Sequence, residues 1–528
     1  MERGRSTRSL ALRVTSVVAA ATVSLVAAGS ASATDSPCYS PPTKPKEIAH
    51  VTYKGMKSYT YCYGPITIRP GQNTISTGPS LLLPKEPGYI TRFDPNLLYT
   101  DKSLGNHGVP AVDVLHLHHG VWITAEGDLR WASGEEKTIL QMPKGFGWRN
   151  DGSGFVAVNH MIHNLFPAPA RVYLEWKIDF VPDTAAASKT IKTIRVPWLD
   201  VANSGYPVFN ALRQFGASGK YTFPADVSKI SNPTLKAKEN SKIGGYRWTV
   251  PQDLTLVSLM GHLHPGGLTT NMTVTRGGVT KPLFTSSAHY WEPAGAVSWD
   301  VAMTVPKSTW RVKLKAGDVL TLQSTYDVSK ASWYEVMGID ILYLHYGTDG
   351  GGVDPFSAGA SIPTTGVLTH GHLAENDNHG GTSNAYPSVL GLPNGTDVTG
   401  GTVGINNFVT ALGDMTNSGT ALNPPTVRQG QTFTFQNNDS TGNASTDFLF
   451  HTITACANPC NRATGIAYPR ADGPIEFDSG ELGYGPRGST ATENRKTWTI
   501  PNDLPTGTYT YFCRVHPYMR GAFRVVAG

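Results

Sequence analysis

The chain has 528 residues and a formal net charge of +5. This charge is small for the length and scattered along it, which argues against nucleic-acid binding. The length is enough for roughly three domains. The 56 glycines and 37 prolines separate short runs of alternating apolar residues, for example residues 171–180 and 431–436. Such runs, without long helical periodicity, predict an all-β protein.

The first 33 residues have the pattern of a secretory signal. Residues 1–13 contain four arginines, an apolar stretch runs from Val14 to about Ala28, and Ala31-Ser-Ala33 supplies a small-residue cleavage site. The apolar stretch is shorter than the roughly 20 residues that span a bilayer. We therefore predict cleavage after Ala33, a secreted extracellular protein and no transmembrane segment.

The five cysteines form two neighbouring pairs and one remainder. In an exported chain, Cys38 can pair with Cys62, and Cys456 can pair with Cys460. Cys513 is then left over, and a free thiol outside the cell is a liability unless a metal holds it as thiolate.

Histidines are concentrated in three short segments of the N-terminal two thirds, which contain His116, His118 and His119, then His160 and His163, then His262 and His264. Residues i and i+2 of a strand share a face, so His262 and His264 can bind one ion. His119 points away from His118 unless the strand breaks near Gly120. Imidazole-only clusters in an exported protein favour copper or zinc over magnesium or calcium.

The order of these motifs resembles the copper type II monooxygenases, the family of peptidylglycine α-hydroxylating monooxygenase and dopamine β-monooxygenase. The resemblance covers about residues 75–350 and includes two linking stretches, residues 131–138 and 143–147. The family's motifs are an adjacent histidine pair, a later His-Asn, a His-x-His and a methionine on a further strand. In this chain they correspond to His118-His119, His163-Asn164, His262-x-His264 and Met337.

The resemblance implies two successive β-sandwich domains that carry two copper ions. One copper, at His118, His119 and His163, would transfer electrons. The other, at His262, His264 and Met337, would bind dioxygen and hydroxylate a C–H bond of an organic substrate, with ascorbate as the family's usual donor. A His-His-Met site suits a copper that cycles through Cu(I) and keeps an open position.

The sequence departs from this family at several positions. Met260 stands where the peptidylglycine enzyme has an arginine for the substrate carboxylate, and Ile339 and Ile341 replace an asparagine and a tyrosine. These departures argue against a peptide C-terminus as the substrate. His160 remains an alternative to His163, and His116 could replace a member of the first pair.

A Gly-rich stretch from residue 347 to residue 361 predicts a flexible linker. The polar group just after it contains His370, His372, Glu375 and His379. These residues could hold another metal or form an ordinary polar loop that docks the two halves of the chain. We favour the second interpretation.

Near the C-terminus, Cys513, His516 and Met519 surround one predicted turn between two strands, and His451 lies on an earlier strand. Two histidines, a thiolate and a weak axial methionine are the ligand set of a type 1 (blue) electron-transfer copper. Residues 394–528 resemble the plastocyanin and amicyanin branch of the cupredoxins, with amicyanin's short C-x2-H-x2-M loop, which implies a Greek-key β-sandwich. The segment between His451 and Cys513 is longer than in small cupredoxins.

The predicted organisation is a signal peptide (1–33), an N-terminal β-sandwich with the His-only copper (34–200), a second β-sandwich with the His-His-Met copper (201–347), a linker and junction (348–392) and a cupredoxin domain (393–528). The leading hypothesis is a secreted copper-dependent monooxygenase whose cupredoxin relays electrons, with dioxygen, an unidentified organic substrate and an external electron donor as partners. The alternatives are a non-catalytic copper-binding, electron-transfer or storage protein, and an oxidase that forms hydrogen peroxide.

Overall fold

The structure of the chain is a computed structural model. It describes residues 36–39, 46–53, 55–72, 75–112, 114–124, 127–134, 137, 139–153, 155–166, 168–203, 207–291, 300–329, 332–374, 389–415, 421–440, 449–456, 475–483, 495–513, 516 and 519–528. The predicted signal peptide lies outside the described residues, and so does Cys460.

The N-terminal region is a sandwich of two sheets, in which the described strands have the orders β1-β2-β10-β4-β8-β11, with β7 beside β4, and β3-β9-β5-β6. The strands are β1 (Lys46–Tyr53), β2 (Met56–Ile68), β3 (Ile75–Leu82), β4 (Gly88–Tyr99), β5 (Leu115–Ile123), β6 (Leu129–Gly134), β7 (Leu140–Gln141), β8 (Phe146–Asn150), β9 (Phe155–Asn164), β10 (Ala170–Pro182) and β11 (Lys192–Thr193).

Large aromatic side chains fill the space between these two sheets. Trp122 and Trp131 come from the smaller sheet, Trp148 and Trp176 from the larger one, and all four are buried in one core. Truncating one such side chain to alanine costs about 3–5 kcal/mol, because the surrounding core collapses only in part.

The second region has sheets of order β12-β23-β16-β20 and β14-β21-β17-β18-β19-β24, with β15 beside β21 and a separate β13-β22 pair, in the part of the chain that is described. Its elements are β12 (Trp198–Asp200), β13 (Phe209–Ala211), β14 (Lys220–Phe223), α1 (Pro233–Asn240), β15 (Arg247–Thr249), β16 (Leu254–Leu263), β17 (Gly267–Arg276), β18 (Val279–Tyr290), β19 (Val301–Val305), β20 (Val312–Leu314), β21 (Val319–Asp327), β22 (Trp333–Val336), β23 (Gly338–His345) and β24 (Val367–Leu368).

Strand β23 lies between the cores of the two sandwiches. Ile339 and Ile341 pack into the N-terminal core, whereas Leu342 and Leu344 pack into the core of the second region. Since side chains alternate across a strand, a strand covered on both faces is apolar almost throughout. The paired strand β16 therefore carries its end, at His262, into the contact between the sandwiches.

The C-terminal region is a third sandwich, whose described strands have the orders β26-β25-β28-β31 and β27-β33-β32-β29-β30. The strands are β25 (Thr402–Asn406), β26 (Val409–Thr410), β27 (Thr426–Arg428), β28 (Thr434–Asn437), β29 (Thr454–Cys456), β30 (Ile475–Asp478), β31 (Thr497–Thr499), β32 (Gly507–Phe512) and β33 (Arg520–Val526). Short 3-10 turns occur at Pro37–Tyr39, Ala186–Thr190, Arg213–Phe215, Ala225–Lys229 and Thr348–Gly350.

These sheets confirm the predicted all-β fold class. The predicted Cys38–Cys62 disulfide is also confirmed, with a Cα–Cα distance of 5.8 Å, and Cys513 is a buried free thiol. Among the described residues, no helix is long and apolar enough to cross a membrane. Residues 37–528 form one compact unit, so contacts between the three sandwiches are part of the fold.

Candidate metal centres

The C-terminal centre brings His451, Cys513 and His516 together. The Cys513 Sγ atom lies 3.9 Å from His451 Nδ1 and 3.7 Å from His516 Nδ1, and the two Nδ1 atoms are 3.1 Å apart. All three residues are buried. Their geometry provides one sulfur and two nitrogen donors for a single ion.

The loop between β32 and β33 is closed by its own backbone. The Cys513 N–H donates to the Met519 carbonyl at 3.0 Å, and the Met519 N–H donates to the His516 carbonyl at 2.8 Å. Met519 is buried in the same domain core as Cys513. With the short Cys-x2-His-x2-Met spacing, these backbone hydrogen bonds place the three predicted loop ligands in one turn.

The charges of this centre suit a thiolate. Burial works to raise the pKa of the Cys513 thiol, but its contacts with His451 and His516 outweigh burial and hold the pKa well below its usual value. The backbone N–H groups of Thr452 and His516 also donate to Cys513 Sγ, at 3.3 and 3.4 Å. A thiolate stabilised in this way is the form that binds copper.

Asp439 forms a hydrogen bond with Nε2 of His451, the ring nitrogen that does not face Cys513 and His516. Its carboxylate accepts a hydrogen bond from His451 Nε2 at 2.9 Å and one from the Phe408 N–H at 2.9 Å. Burial opposes the charge of His451, but Asp439 and Cys513 together raise the pKa of His451 to about 9. The Phe408 ring contacts the rings of both His451 and His516, at 5.3 and 4.9 Å between centroids. Nothing in the sequence around Asp439 indicated this role.

The N-terminal histidines form a second centre, and one part of it comes from the N-terminal sandwich alone. His116 pairs with His163 across β5 and β9, and donor atoms of His116, His118 and His163 lie within 4.8 Å of one another. Within this group, His116 Nε2 lies 3.4 Å from His118 Nδ1.

A β-bulge explains how adjacent histidines reach the same centre. The pairing of β5 with β9 shifts between Leu117 and His119, so His118 is the additional residue of the bulge. A bulge interrupts the alternation of side chains between the two faces. His118 and His119 therefore contribute to the same cluster. The break in the alternation falls at His118, two residues before Gly120, which is the position that the sequence suggested.

The second sandwich completes this centre. Donor atoms of His118, His119 and His264 lie within 4.8 Å of one another. The ring of His262 is 6.1 Å from that of His119 and 5.4 Å from that of His264. We call these six residues the histidine cluster: His116, His118, His119, His163, His262 and His264. His118 belongs to both groups of donors, so the cluster spans the contact between the two sandwiches.

Met337 is held near His264 through the backbone. The Tyr326 hydroxyl accepts a hydrogen bond from the His264 N–H at 3.1 Å and donates to the Met337 carbonyl at 2.6 Å. The Met337 side chain packs into the core shared with the N-terminal sandwich. The carbonyl of Glu335 lies 3.0 Å from His264 Nδ1, so the other ring nitrogen, Nε2, remains available to bind a metal.

His160 lies outside the cluster. It is three residues before His163 on β9 and therefore on the opposite face, where its ring contacts Tyr63 at 6.1 Å. The donor atoms that lie together thus include those of His163 and His116 and exclude those of His160. The sequence had not decided whether His116 takes part, or which of His160 and His163 does.

Burial favours the neutral form of five imidazoles of the cluster. Loss of hydration lowers the pKa of His116 and of His119 to about 3, and lowers the pKa of His118, His163 and His264 well below the usual value. At His118, His119, His163 and His264 the neighbouring imidazoles act in the same direction, because they disfavour a positive charge on these rings. Neutral imidazole is the metal-binding form of histidine.

The cluster contains donor atoms that a metal would satisfy. Within the described residues, Nε2 of His119 and Nε2 of His264 are buried and have no hydrogen-bond partner. Buried polar atoms without a partner are uncommon and call for an explanation such as an absent ion. Imidazole-only donors fit copper or zinc, and the Cys513 centre fits a type 1 copper.

The two centres meet at Gly71 and His163. The ring of His516 lies 6.0 Å from the ring of His163, and His516 Nε2 lies 3.4 Å from the Gly71 carbonyl. Gly71 has φ +59°, and a Cβ atom there would lie 2.0 Å from the Phe408 ring. A hydrogen side chain is therefore required for this approach of the C-terminal sandwich to the N-terminal one.

The junction after the linker is docked by polar contacts. His372 Nδ1 is hydrogen-bonded to the buried carboxylate of Asp300, and the ring of His370 stacks on Trp291 at 5.7 Å. Leu373 packs against Val112 and Leu165 of the N-terminal sandwich. This arrangement supports a docking loop. Glu375 and His379 lie outside the described residues.

No family profile matches the chain, and no curated protein matches it. Among solved structures, a reduced Cu(I) form of an amicyanin variant is 17% identical, with 27% of this chain and 94% of that chain covered and a TM-score of 0.14. A copper-containing nitrite reductase from Thermus scotoductus is 13% identical, with coverages of 53% and 58% and a TM-score of 0.15. A structure of infectious bursal disease virus is 9% identical, with coverages of 58% and 75% and a TM-score of 0.17. The functional argument therefore rests on the residues of this chain.

Proposed function

We propose that the chain is a secreted copper oxidoreductase in which the C-terminal centre exchanges electrons with the histidine cluster, where dioxygen reacts. The observation that carries the proposal is the contact between the two centres, in which the rings of His516 and His163 are 6.0 Å apart. The proposed electron-transfer site and the histidine cluster, which has open donor positions, thus share one buried contact.

His451, Cys513, His516 and Met519 would hold the type 1 copper, and the histidine cluster with Met337 would hold two further copper ions. Bound copper supplies one-electron redox chemistry and dioxygen binding. The protein residues supply the rest: His163 and His516 set the separation of the centres, Tyr326 positions His264 beside Met337, and the packed sandwiches exclude bulk water from the cluster.

For the reaction, we propose hydroxylation of a C–H bond in a small, apolar organic substrate. The three positions that differ from the resembled family argue against recognition of a charged substrate group there, because Met260, Ile339 and Ile341 are buried apolar residues of the core shared by the two sandwiches. Replacing a buried apolar residue there by an arginine would leave an uncompensated charge.

The first experiment loads the full chain with copper, reduces it with ascorbate and mixes it with dioxygen while the blue band of the type 1 copper is followed. We expect reoxidation of the blue band to accompany dioxygen consumption, and copper analysis to approach three ions per chain. A Cys513→Ser chain that consumes dioxygen as fast as the parent with every donor contradicts the relay. A copper content near one per chain contradicts the proposed cluster.

A second candidate is an oxidase that releases hydrogen peroxide. The burial of the cluster favours it, since His116, His163 and His264 are at most 6% exposed and dioxygen is smaller than any organic substrate. The two candidates differ in stoichiometry. An oxidase converts the consumed dioxygen into peroxide in the absence of any added substrate, whereas a monooxygenase incorporates labelled oxygen into a product.

A further inference from the structure

We propose that a row of aromatic side chains in the N-terminal sandwich carries oxidising equivalents from the histidine cluster to Tyr59 near the surface. The row is Trp122, Trp176, Tyr61 and Tyr59. Successive ring centroids are 6.3, 5.5 and 6.1 Å apart, and the last two contacts are stacked, with interplanar angles of 13° and 22°. This inference rests on the proposed function, because copper at the cluster is required to produce the oxidising equivalent.

The row begins in the core of the N-terminal sandwich, on the face of β5 opposite His119. Trp122 is three residues after His119 on β5, and Gly120 lies between them. A Cβ atom at Gly120 would be 2.7 Å from the outer edge of the Trp122 indole. The indole therefore lies against the backbone of the residue that adjoins His119, which only glycine allows at this distance.

The middle of the row does not trap a radical. Within the part of the chain that the structure describes, the indole N–H groups of Trp122 and Trp176 are buried without an acceptor. An oxidised indole that has no base nearby keeps its proton, and its positive charge is costly in an apolar core. The oxidising equivalent is therefore passed on to the next ring.

The end of the row does have a base. The Tyr59 hydroxyl donates to the Glu86 carboxylate at 2.8 Å, and Glu86, with a side chain 30% exposed, also pairs with Lys57. A phenol that loses an electron also loses its proton, and Glu86 is placed to accept that proton and release it to solvent. Tyr59 is thus the site at which the radical settles.

Hydrogen peroxide is the oxidant of the proposed step. Its O–O bond would break, and it would take up two electrons from the protein and two protons from solvent to form two water molecules. One electron would come from a Cu(I) ion held by the cluster, which would become Cu(II). The other comes from Tyr59 by way of Tyr61, Trp176 and Trp122, while the phenolic proton of Tyr59 passes to Glu86. The route removes an oxidising equivalent that would otherwise attack the histidines of the cluster.

A neighbouring set of rings provides a matched control. Trp122 also contacts Phe93 at 4.7 Å, Phe93 contacts Trp131 at 4.9 Å, and Trp131 contacts Trp148 at 5.4 Å. Phenylalanine is far harder to oxidise than tryptophan or tyrosine. Trp148 has the same burial as Trp176 and lies in the same core, but outside the proposed row.

The test treats the copper-loaded, ascorbate-reduced full chain with hydrogen peroxide and records electron paramagnetic resonance spectra after freeze-quenching. We expect a tyrosyl radical in the parent and in Trp148→Phe, loss of that radical in Tyr59→Phe, and loss of most of it in Trp176→Phe. Mass spectrometry should find more oxidised His118 and His119 in Trp176→Phe than in Trp148→Phe.

A tyrosyl radical that persists in Tyr59→Phe overturns the inference, and so do equal radical yields and equal histidine oxidation in Trp176→Phe and Trp148→Phe. Copper analysis of the same samples separates this failure from failure of the proposed function. A chain that binds no copper at the cluster and gives no radical overturns both.

Discussion

The two candidate metal centres are built in opposite ways. The C-terminal centre takes three of its four predicted ligands from one short loop, closed by backbone hydrogen bonds between Cys513, His516 and Met519. The histidine cluster draws on β5, β9 and the end of β16, from two different sandwiches. A loop fixes its ligands locally, whereas the complete cluster exists only while the sandwiches are packed together. The first centre should therefore tolerate damage to the domain contact, and the second should not.

The largest effect is expected from His118→Ala. Because His118 belongs to both groups of donor atoms in the cluster, its loss should remove both cluster coppers and leave the blue copper in place. His160→Ala, on the same sandwich but on the opposite face of β9, is the matched control and should keep all the copper. Metal analysis with visible spectroscopy measures both. Equal copper contents in the two variants would contradict the shared cluster.

The metal-free chain should show pH effects of opposite sign at the two centres. The pKa of His116 and of His119 is about 3 in the folded state, below the ordinary 6.5, so the unfolded state binds more protons and stability falls as the pH drops from 6.5 towards 3. Each such histidine costs about 1.4 kcal/mol per pH unit in this range.

The pKa of His451 is instead raised to about 9. The contribution of His451 to stability is complete below 6.5 and is lost as the pH rises through 9. The lowered pKa of the Cys513 thiol acts in the opposite direction, because below pH 9.0 the unfolded thiol holds a proton that the folded thiolate has lost. Urea unfolding of the metal-free chain across this range measures both effects. An Asp439→Asn chain should show a smaller contribution from His451, since only Cys513 then supports its positive charge, and should keep the acidic effect. A parent whose stability does not fall towards pH 3, or an Asp439→Asn chain with the alkaline profile of the parent, would contradict these assignments.

Gly71→Ala should disturb the contact between the centres. The left-handed backbone at Gly71 costs alanine about 1–2 kcal/mol, and the new methyl group would displace Phe408. We expect slower reoxidation of the blue copper, with copper content unchanged. Gly127→Ala is the control, since Gly127 also has a positive φ but has no atom within 4 Å of the added methyl. Equal reoxidation rates in the two variants would argue against electron transfer through this contact.

Asp439→Asn should have the smallest effect. It keeps the shape of the hydrogen-bonding group at His451 and removes a negative charge that favours the oxidised, more positive metal site. We expect the reduction potential of the blue copper to rise, by on the order of 60 mV, which is a tenfold change in a one-electron equilibrium. Redox titration of the blue band measures it, and an unchanged or lower potential would show that the charge is screened.

Features that depend on residues close together in the sequence could be predicted. The all-β fold class follows from the runs of alternating apolar and polar residues, and the Cys38–Cys62 disulfide follows from pairing the cysteines that are neighbours along an exported chain. The C-terminal donors were predictable because Cys513 and His516 are three residues apart in one loop. The assignment of copper to these donors, and of Met519 as an axial ligand, stays a prediction.

The arrangement of the histidine cluster was not predictable in the same way. The sequence divided the ligands between a His118-His119-His163 site and a His262-His264-Met337 site, and this division stays a prediction. The structure adds His116 beside His163 and brings His264 to His118, through a bulge and a domain contact that have no local signature. The contact of Gly71 with Phe408 joins residues more than three hundred positions apart, beyond the reach of any motif.

The linker has a consequence for how the chain can be divided. Val367 and Leu368, a few residues after the predicted flexible stretch, pair with Val305 and Thr304 and so form a short outer strand beside β19. A fragment that ended at the predicted domain boundary, residue 347, would leave the backbone groups of β19 uncovered along this edge. Open edges recruit strands from other molecules. The two N-terminal sandwiches are therefore a poor choice for separate expression unless the fragment extends past residue 368, since a shorter one invites self-association.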